Sequence, residues 1–370
     1  MIRLRPLLPA LLLATSACAG LSGSSPAVDP VAAIQDEIEH YNDEELFACG
    51  NAALQASDFQ RAAICFTRLA DTFPQSPHHR DAQLNAGISL EGLQLWQLAL
   101  ERYLALLELP PPPGDLEAVW RSATAYYHLN EYDEAIALMA PLVHRQDLLL
   151  VDRIRAQTYM GICRVEKREL AEAEKDLRAA VRLYRRNETA ERVETYYPSQ
   201  AQFFLGEIYR LYFLEVSLEN TDDPERSRDQ LEYKAQLLLS AQGHYLRTMR
   251  LGDPHWAMAA GRRVGGLYEE LYDEMMEAPV PSELDGELAE LYRAALRRKV
   301  RVLVQKAIAL YERTLSAAER IGVTSEFVEQ TRRSLERMKQ VLIEDAARDE
   351  EDGFEDLDEA PSPAGEDIDA

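Results

Sequence analysis

Residues 45–74 read ELFACGNAALQASDFQRAAICFTRLADTFP, and their spacing decides the fold. A small residue, Gly50, is followed twelve positions on by Ala62, four further by Phe66 and eight further by Pro74. Apolar residues recur at helical spacing on both sides of Leu54-Gln55-Ala56-Ser57-Asp58-Phe59, whose centre has the polarity of a turn. The stretch is therefore two amphipathic helices in a hairpin, closed by a proline that cannot continue the second. Gly50 and Ala62 let the two backbones approach. Phe66 is expected to fill the space between this pair and its neighbour.

The unit recurs along the chain. Gly50, Gly87, Ala123, Gly161 and Gly206 are separated by 37, 36, 38 and 45 residues. Ala62, Ala99, Ala135 and Ala173 stand twelve residues beyond the first four, and Phe66, Tyr103, Met139 and Leu177 follow one helical turn later. Pro74 and Pro111 close the first two units. A fixed period of this length marks an array of stacked supersecondary units. At these positions the chain resembles the tetratricopeptide repeat (TPR) family over 45–143 and again over 155–185. That resemblance implies an all-α fold, a TPR-type helical-hairpin solenoid. Within it, Cys65 to Pro77, with its Phe73-Pro74-Gln75-Ser76-Pro77 turn, resembles the opening repeats of BamD-like and YbgF-like envelope TPR proteins.

Beyond residue 190 the pattern loosens. Gln202 to Tyr209 reads as a first helix, and a polar segment from Glu219 to Arg228 precedes a second containing Ala241 and Tyr245. After the turn Leu251-Gly252-Asp253-Pro254-His255-Trp256 comes a helix with Gly261, Gly265 and Tyr268. The break Ala278-Pro279-Val280-Pro281 then leads to one with Ala307 and Tyr311. A last amphipathic helix, about 325–343, places Phe327, Val328, Leu335, Met338, Val341 and Leu342 on one side and suits a C-terminal capping helix. Residues 230–342 resemble the C-terminal half of gliding-motility TPR lipoproteins, through Gly252 to Trp256, Gly266 to Asp273 and Ala278 to Pro281.

The ends differ from this body. Met1 to Ala17 has Arg3 and Arg5, a short apolar run from Leu7 to Ala14, and small residues before Cys18, the layout of an export signal. The run is too short to span a bilayer. Thr15-Ser16-Ala17-Cys18 resembles a bacterial lipobox, with Thr in place of the usual Leu. The resemblance implies lipid attachment at Cys18 and, with Ala19 rather than Asp next, an outer-membrane anchor facing the periplasm. Residues 18–38 read as the lipidated Cys and a Gly/Ser/Pro-rich tether reaching about 20–25 Å. The expected organisation is then 1–17 signal peptide, 18–38 tether, 39–190 TPR array, 191–343 divergent TPR-like region with its cap, and 344–370 acidic tail.

Charge follows that division. Forty Lys and Arg stand against 64 Asp and Glu, a formal net charge of -24 in 370 residues. So acidic a surface repels phosphate backbones, and no nucleic acid is expected as partner. Residues 344–370 hold thirteen acids and one arginine, 1 - 13 = -12, half of the excess. They read as a disordered terminus, either solubilising or a dock for a basic partner.

Chemical motifs are missing. There is no HExxH and no Cys/His ligand spacing, so no metal is expected. His78-His79 lies in a proline-bounded turn and is expected to be solvated. Gly261, Gly265 and Gly266 follow no strand, and read as close-packing residues rather than a phosphate loop. Neither GxSxG nor SxxK occurs. No catalytic residue and no cofactor is expected. Cys49 and Cys65 fall on the two helices of one unit, either as small core residues or as a disulfide, and Cys163 has no evident partner.

What such an array offers is surface. In the repeat frame Phe47, Asn51, Leu84, Asn85, Trp120, Tyr127, Tyr159, Phe203 and Arg210 lie on the first helices, where they either line a partner-binding groove or pack between repeats. Trp120 and Tyr127, two turns apart on one face, are the foremost contacts. The expected function is a non-enzymatic scaffold or adaptor lipoprotein of the bacterial envelope that binds proteins through its groove. A gliding-motility or envelope-spanning complex is one setting for it. A BamD-like outer-membrane assembly factor is the alternative, and a cell-wall-active enzyme on a helical superhelix is the third reading, for which no motif speaks.

Overall fold

The computed structural model describes residues 30–110, 116–187, 194–218, 224–278, 280 and 284–351. The expected signal segment, Cys18 and the acidic residues after 351 lie outside these. Every regular element among the described residues is an α-helix, as expected from the period. In chain order the helices are α1 (Pro30–Glu37), α2 (Asp43–Gln55), α3 (Phe59–Thr72), α4 (His79–Gly92), α5 (Trp96–Glu108), α6 (Glu117–His128) and α7 (Tyr132–His144). They continue as α8 (Leu150–Glu166), α9 (Leu170–Asn187), α10 (Tyr196–Glu215), α11 (Pro224–Leu251), α12 (Pro254–Glu277), α13 (Gly286–Ile321) and α14 (Glu326–Glu351). The chain divides into two compact units, Met1–Leu106 and Leu107–Ala370. The division falls inside the stretch 39–190, within the last turn of α5.

The first unit holds α1 to α5. A capping box starts α2: the Asn42 carboxamide accepts from the Glu45 backbone N–H at 2.9 Å, and Glu45 accepts from the Asn42 N–H at 2.9 Å. Asp58 caps α3 by accepting from the Arg61 N–H. Leu46, Phe66 and Leu69 have no exposed surface, and neither has Ile38. Helix α1 packs on α3 and therefore begins inside the stretch expected as tether. The reason is local: Ile34 and Ile38 are one helical turn apart, and Pro30 suits the start of a helix. A disulfide joins Cys49 on α2 to Cys65 on α3, with Cα atoms 6.2 Å apart. Closing so short a loop stabilises the unit by about 3 kcal/mol through the unfolded chain.

One contact recurs in both units. A Cβ on Gly50 would lie 2.5 Å from the Phe66 ring, and one on Gly161 would lie 2.6 Å from Leu177. Gly87 meets Tyr103, Gly206 meets Tyr245 and Gly265 meets Tyr311 in the same way. The large side chain thus rests on the bare backbone of its own partner helix, where the sequence had placed it between neighbouring pairs. In the first three cases the two residues are 16 apart; the last two are 39 and 46 apart, because longer helices and loops intervene. The packing survives the change of spacing. Gly261, close against Thr314, joins Gly265 as a close-packing residue.

The turns repeat as well. Ser57, Gln94, Asn130 and Arg168 have φ of 58°, 60°, 63° and 64°, each seven residues beyond Gly50, Gly87, Ala123 and Gly161. A left-handed residue closes every one of these hairpins. None is a glycine, so each carries on the order of 1 kcal/mol of backbone strain that helix packing offsets.

The second unit pairs α6 with α7, α8 with α9, α10 with α11 and α12 with α13. Helix α8 packs on α10, α10 on α12 and α12 on α14, so the first helices form a layer of their own. Helix α11 starts at Pro224, inside the segment expected to be a polar interruption, because proline is tolerated in a first turn. Lys234, 1% exposed, reaches back to the Phe213 carbonyl at 2.8 Å and to Glu274 at 2.5 Å, tying α11 to α10 and α12. At the next turn Gly252 has φ of 84°, and Asp253 caps α12 by accepting from the Trp256 N–H at 3.0 Å. Helix α14 buries Val328, Leu335 and Met338 on the expected face but runs on to Glu351, past the expected end at 343. Its extension is held by charge. Asp349 pairs with Arg298 and Arg301 of α13, and Asp345 is 1% exposed. Residues 344–351 are therefore helix, and the acidic end shortens to residues 352–370.

Candidate functional site

The first turns of the second unit's first helices carry one aromatic or cationic side chain after another. Trp120 is the fourth residue of α6, Tyr196 and Tyr197 open α10, Trp256 is third in α12, and Phe327 is second in α14. Arg155 lies in the second turn of α8. Since these helices form one layer, their starts bring those side chains into a row.

Contact runs along that row. The Arg155 guanidinium sits 4.3 Å above the Trp120 ring, 5.7 Å from the Tyr159 centroid and 5.5 Å from that of Tyr197. Tyr197 meets Tyr196 edge to face at 5.2 Å, and Tyr196 meets Trp256 at 5.8 Å. His255 stands 5.0 Å from Trp256 and 5.2 Å from Phe327. Phe203 packs on Trp256 from the core side at 5.1 Å. Such cation–π and edge-to-face contacts each contribute about 0.5–1.5 kcal/mol beyond burial, so the row is a rigid strip rather than a set of loose rings. Burial raises the phenols of Tyr196 and Tyr197 above their ordinary range, so both stay protonated donors.

Polar atoms along the strip are unsatisfied. Arg155 Nε and Gln200 Oε1 are buried without a hydrogen-bond partner among the described residues. A buried donor or acceptor left unpaired costs about 1–3 kcal/mol, which makes a ligand that supplies the missing partner favourable. Arg262, on the same helix as Trp256, is likewise unpaired at Nε, and burial together with Arg263 and Arg210 disfavours its charge.

The expected site residues separate into three groups. Trp120 and Tyr159 belong to the strip, and Phe203 supports it; Trp120 and Phe203 are each only 6% exposed. Tyr127 and Arg210 are elsewhere. The Tyr127 phenol donates to Glu166 at 3.1 Å, and burial raises both groups. Arg210 donates to Glu270 at 3.0 Å, inside a network in which Arg263 pairs with Glu207 at 2.8 Å and the Tyr245 hydroxyl donates to Glu207 at 2.5 Å. The polar ends of both side chains are thus engaged within the fold. The remaining four lie in the first unit. Phe47 stacks on His78 at 4.1 Å, Leu84 packs against the cluster of Leu90, Ala99 and Tyr103, and Asn51 and Asn85 are half-buried. His78, expected to be solvated, is held by that stacking and by Glu44 at 3.1 Å.

The sequence missed Arg155, Tyr197, Trp256, His255 and Phe327. Their shared signal, an aromatic or Arg in the opening turns of successive first helices, becomes visible only once helix starts are known. Among the described residues no three His, Cys, Asp or Glu gather as a metal site requires, and no helix is long and apolar enough to cross a membrane.

The tetratricopeptide repeat family model matches residues 47–112 and 84–146. Sperm-associated antigen 1 of Rattus norvegicus is 34% identical over 87 residues, 24% of this chain and 9% of that protein. The Mus musculus protein of that name is 30% identical over 129 residues, 35% and 12% of the respective chains. This chain thus spans about a tenth of the length of those relatives. Among solved structures, the apo form of RapI aligns over 82% of this chain and 99% of its own at 9% identity, with a TM-score of 0.44. A tetratricopeptide repeat protein from Parabacteroides merdae aligns over 79% and 98% at 14% identity, with a TM-score of 0.38. Residues 47–146 are thus similar to tetratricopeptide repeats, and the later helix pairs keep the packing of a large side chain on a small one.

Proposed function

We propose that this chain is a non-enzymatic scaffold whose second unit docks a segment of a partner protein along the strip from Trp120 to Phe327. The carrying observation is the stack of Arg155 on Trp120, flanked by Tyr159 and Tyr197, with polar atoms left unpaired beside it. Flat π faces suit aliphatic, proline or aromatic side chains. The Arg155 cation favours a carboxylate, and Gln200 Oε1 accepts from a backbone N–H. Tetratricopeptide repeats bind protein partners, and no step of covalent chemistry is assigned to the site.

We place this scaffold at the outer membrane, anchored through Cys18 and facing the periplasm. Support comes from the Arg3/Arg5 start, the apolar run and Thr15-Ser16-Ala17-Cys18 in the sequence. The Cys49–Cys65 disulfide adds to it as the chemistry of an oxidising compartment. A gliding-motility complex and a BamD-like assembly role are two settings that the sequence resemblances bring forward.

Affinity capture of the mature protein from native membranes, with and without Arg155→Ala/Tyr159→Ala, tests the docking site. The double variant is expected to lose the main partner; recovery of the same partners at equal yield would refute the strip as the site. A β-barrel insertase among the captured proteins selects the assembly role. For the anchor, Cys18→Ser should move the protein from the membrane to the soluble fraction, and a variant that stays with the membrane contradicts lipid attachment.

A further inference from the structure

A second charged surface lies on the second helices of the hairpins rather than on the first. Helix α9 carries Arg178, Arg182, Arg185 and Arg186 at i, i+4, i+7 and i+8, one face of a helix, and all four are exposed. Helix α11 adds exposed Arg247 and Arg250, one turn apart. Residues 177–187 contain no acid, and neither do residues 233–252, in a chain with 64 Asp and Glu.

The two helices meet across α10, on which both pack. Arg178 donates to the Tyr209 hydroxyl at 3.4 Å, and the Tyr209 ring stacks on His244 of α11 at 5.2 Å, one turn before Arg247. The Arg247 guanidinium lies back over Gly243, whose Cβ would come within 3.7 Å of it. Of the six arginines only Arg178 has a carboxylate partner among the described residues, and that partner is Glu174. Burial, and then Arg185, Arg178 and Arg250, disfavour the charge of Arg247, so the cluster repels itself. Helix α13 is basic too, but there Asp349 of α14 pairs with Arg298 and Arg301. On α9 and α11 no described carboxylate beyond Glu174 plays that part.

We infer that the arginine face of α9 and α11 is a binding surface for a short acidic segment of a second partner protein, other than the one docked by the strip. Guanidinium groups meet carboxylates two hydrogen bonds at a time. From Arg178 to Arg186 the face runs about 12 Å, room for about four residues of extended chain. That length decides against larger polyanions. A membrane surface or a nucleic-acid duplex would reach past the face onto Glu172, Glu174 and Asp176 in the opening turns of α9, and on over a protein of net charge -24. A short acidic peptide ends where the arginines end.

Fluorescence anisotropy of the full chain with a fluorescein-labelled Glu/Ser peptide tests this, with a Gln/Ser peptide as control. The Glu/Ser peptide alone is expected to bind at low ionic strength, and added salt should weaken it steeply. Arg185→Gln/Arg247→Gln should weaken binding about tenfold, while the melting temperature stays level or rises because like charges have been removed. Arg155→Ala/Tyr159→Ala should leave the peptide's affinity unchanged, which separates this face from the strip. No binding at low salt, or binding that survives Arg185→Gln/Arg247→Gln, would overturn the assignment. So would phosphatidylglycerol vesicles held through these arginines in place of the peptide. A double variant melting well below the native chain would also overturn it, since the arginines would then belong to the fold.

Discussion

Gly161 is where the packing rule can be tested one atom at a time. In an exposed helix Gly→Ala stabilises by about 1 kcal/mol. Here the added methyl would lie 2.6 Å from Leu177, so Gly161→Ala is expected to destabilise by about 1–3 kcal/mol in urea denaturation, and to cost less when introduced into a Leu177→Ala background. Stabilisation by the single substitution would show that the contact does not govern the position. His244 makes a second test. Burial, with Arg247 and Arg178 nearby, lowers its pKa from 6.5 to about 4, and its Nδ1 lies 2.6 Å from the Gln202 amide. The unfolded imidazole binds a proton below 6.5 and the folded one only below about 4. Stability contributed by the neutral ring is therefore present above 6.5 and lost as pH falls from 6.5 to 4. Denaturation midpoints across that window should fall more steeply for the native chain than for His244→Gln; parallel curves would contradict the assignment. Cys163 behaves oppositely in kind: burial pushes its thiol up to about 12, leaving it protonated and inert in the fold.

At the scale of elements the sequence exposed the helices well and their turns and ends less well. The anchors at 50, 87, 123 and 161 and the large residues 16 beyond them were legible because each repeat must bury the same face. The left-handed turn residues were not, since Ser57, Gln94, Asn130 and Arg168 share a backbone conformation and no chemistry. Replacing one of them by the residue that adopts this conformation freely should relieve strain. Arg168→Gly is expected to stabilise by about 0.5–1 kcal/mol in thermal or chemical denaturation, against the usual direction for glycine. The ends of α1 and α14 were misread because composition masked amphipathic faces: Ile34 and Ile38 stand beside a Gly/Ser-rich stretch, and Asp345 and Asp349 stand in an acidic one. Tyr127 has the spacing of a surface contact with Trp120, yet the Glu166 carboxylate on the next first helix takes its hydroxyl. Arg155 carries no signal until its helix is laid beside that of Trp120.

For the whole molecule, the acid excess proves to be arranged. Eight acids and no base follow the last helix in the sequence, α13 is basic over residues 291–306, and the first-helix layer carries aromatic rings and unpaired arginine nitrogens. The central claim is that this layer docks a partner by its opening turns. Backbone N–H groups in the first turn of a helix lack an intrahelical acceptor and exchange with solvent readily, so a partner laid across them has a clear signature. Hydrogen-exchange mass spectrometry of the full chain with and without its captured partner measures it directly. The account predicts protection at the starts of α6, α8, α10 and α12, around residues 117–120, 150–159, 196–200 and 254–257, and no change along α9 and α11. Protection confined to α9, α11 or α13, with those starts unchanged, would contradict it.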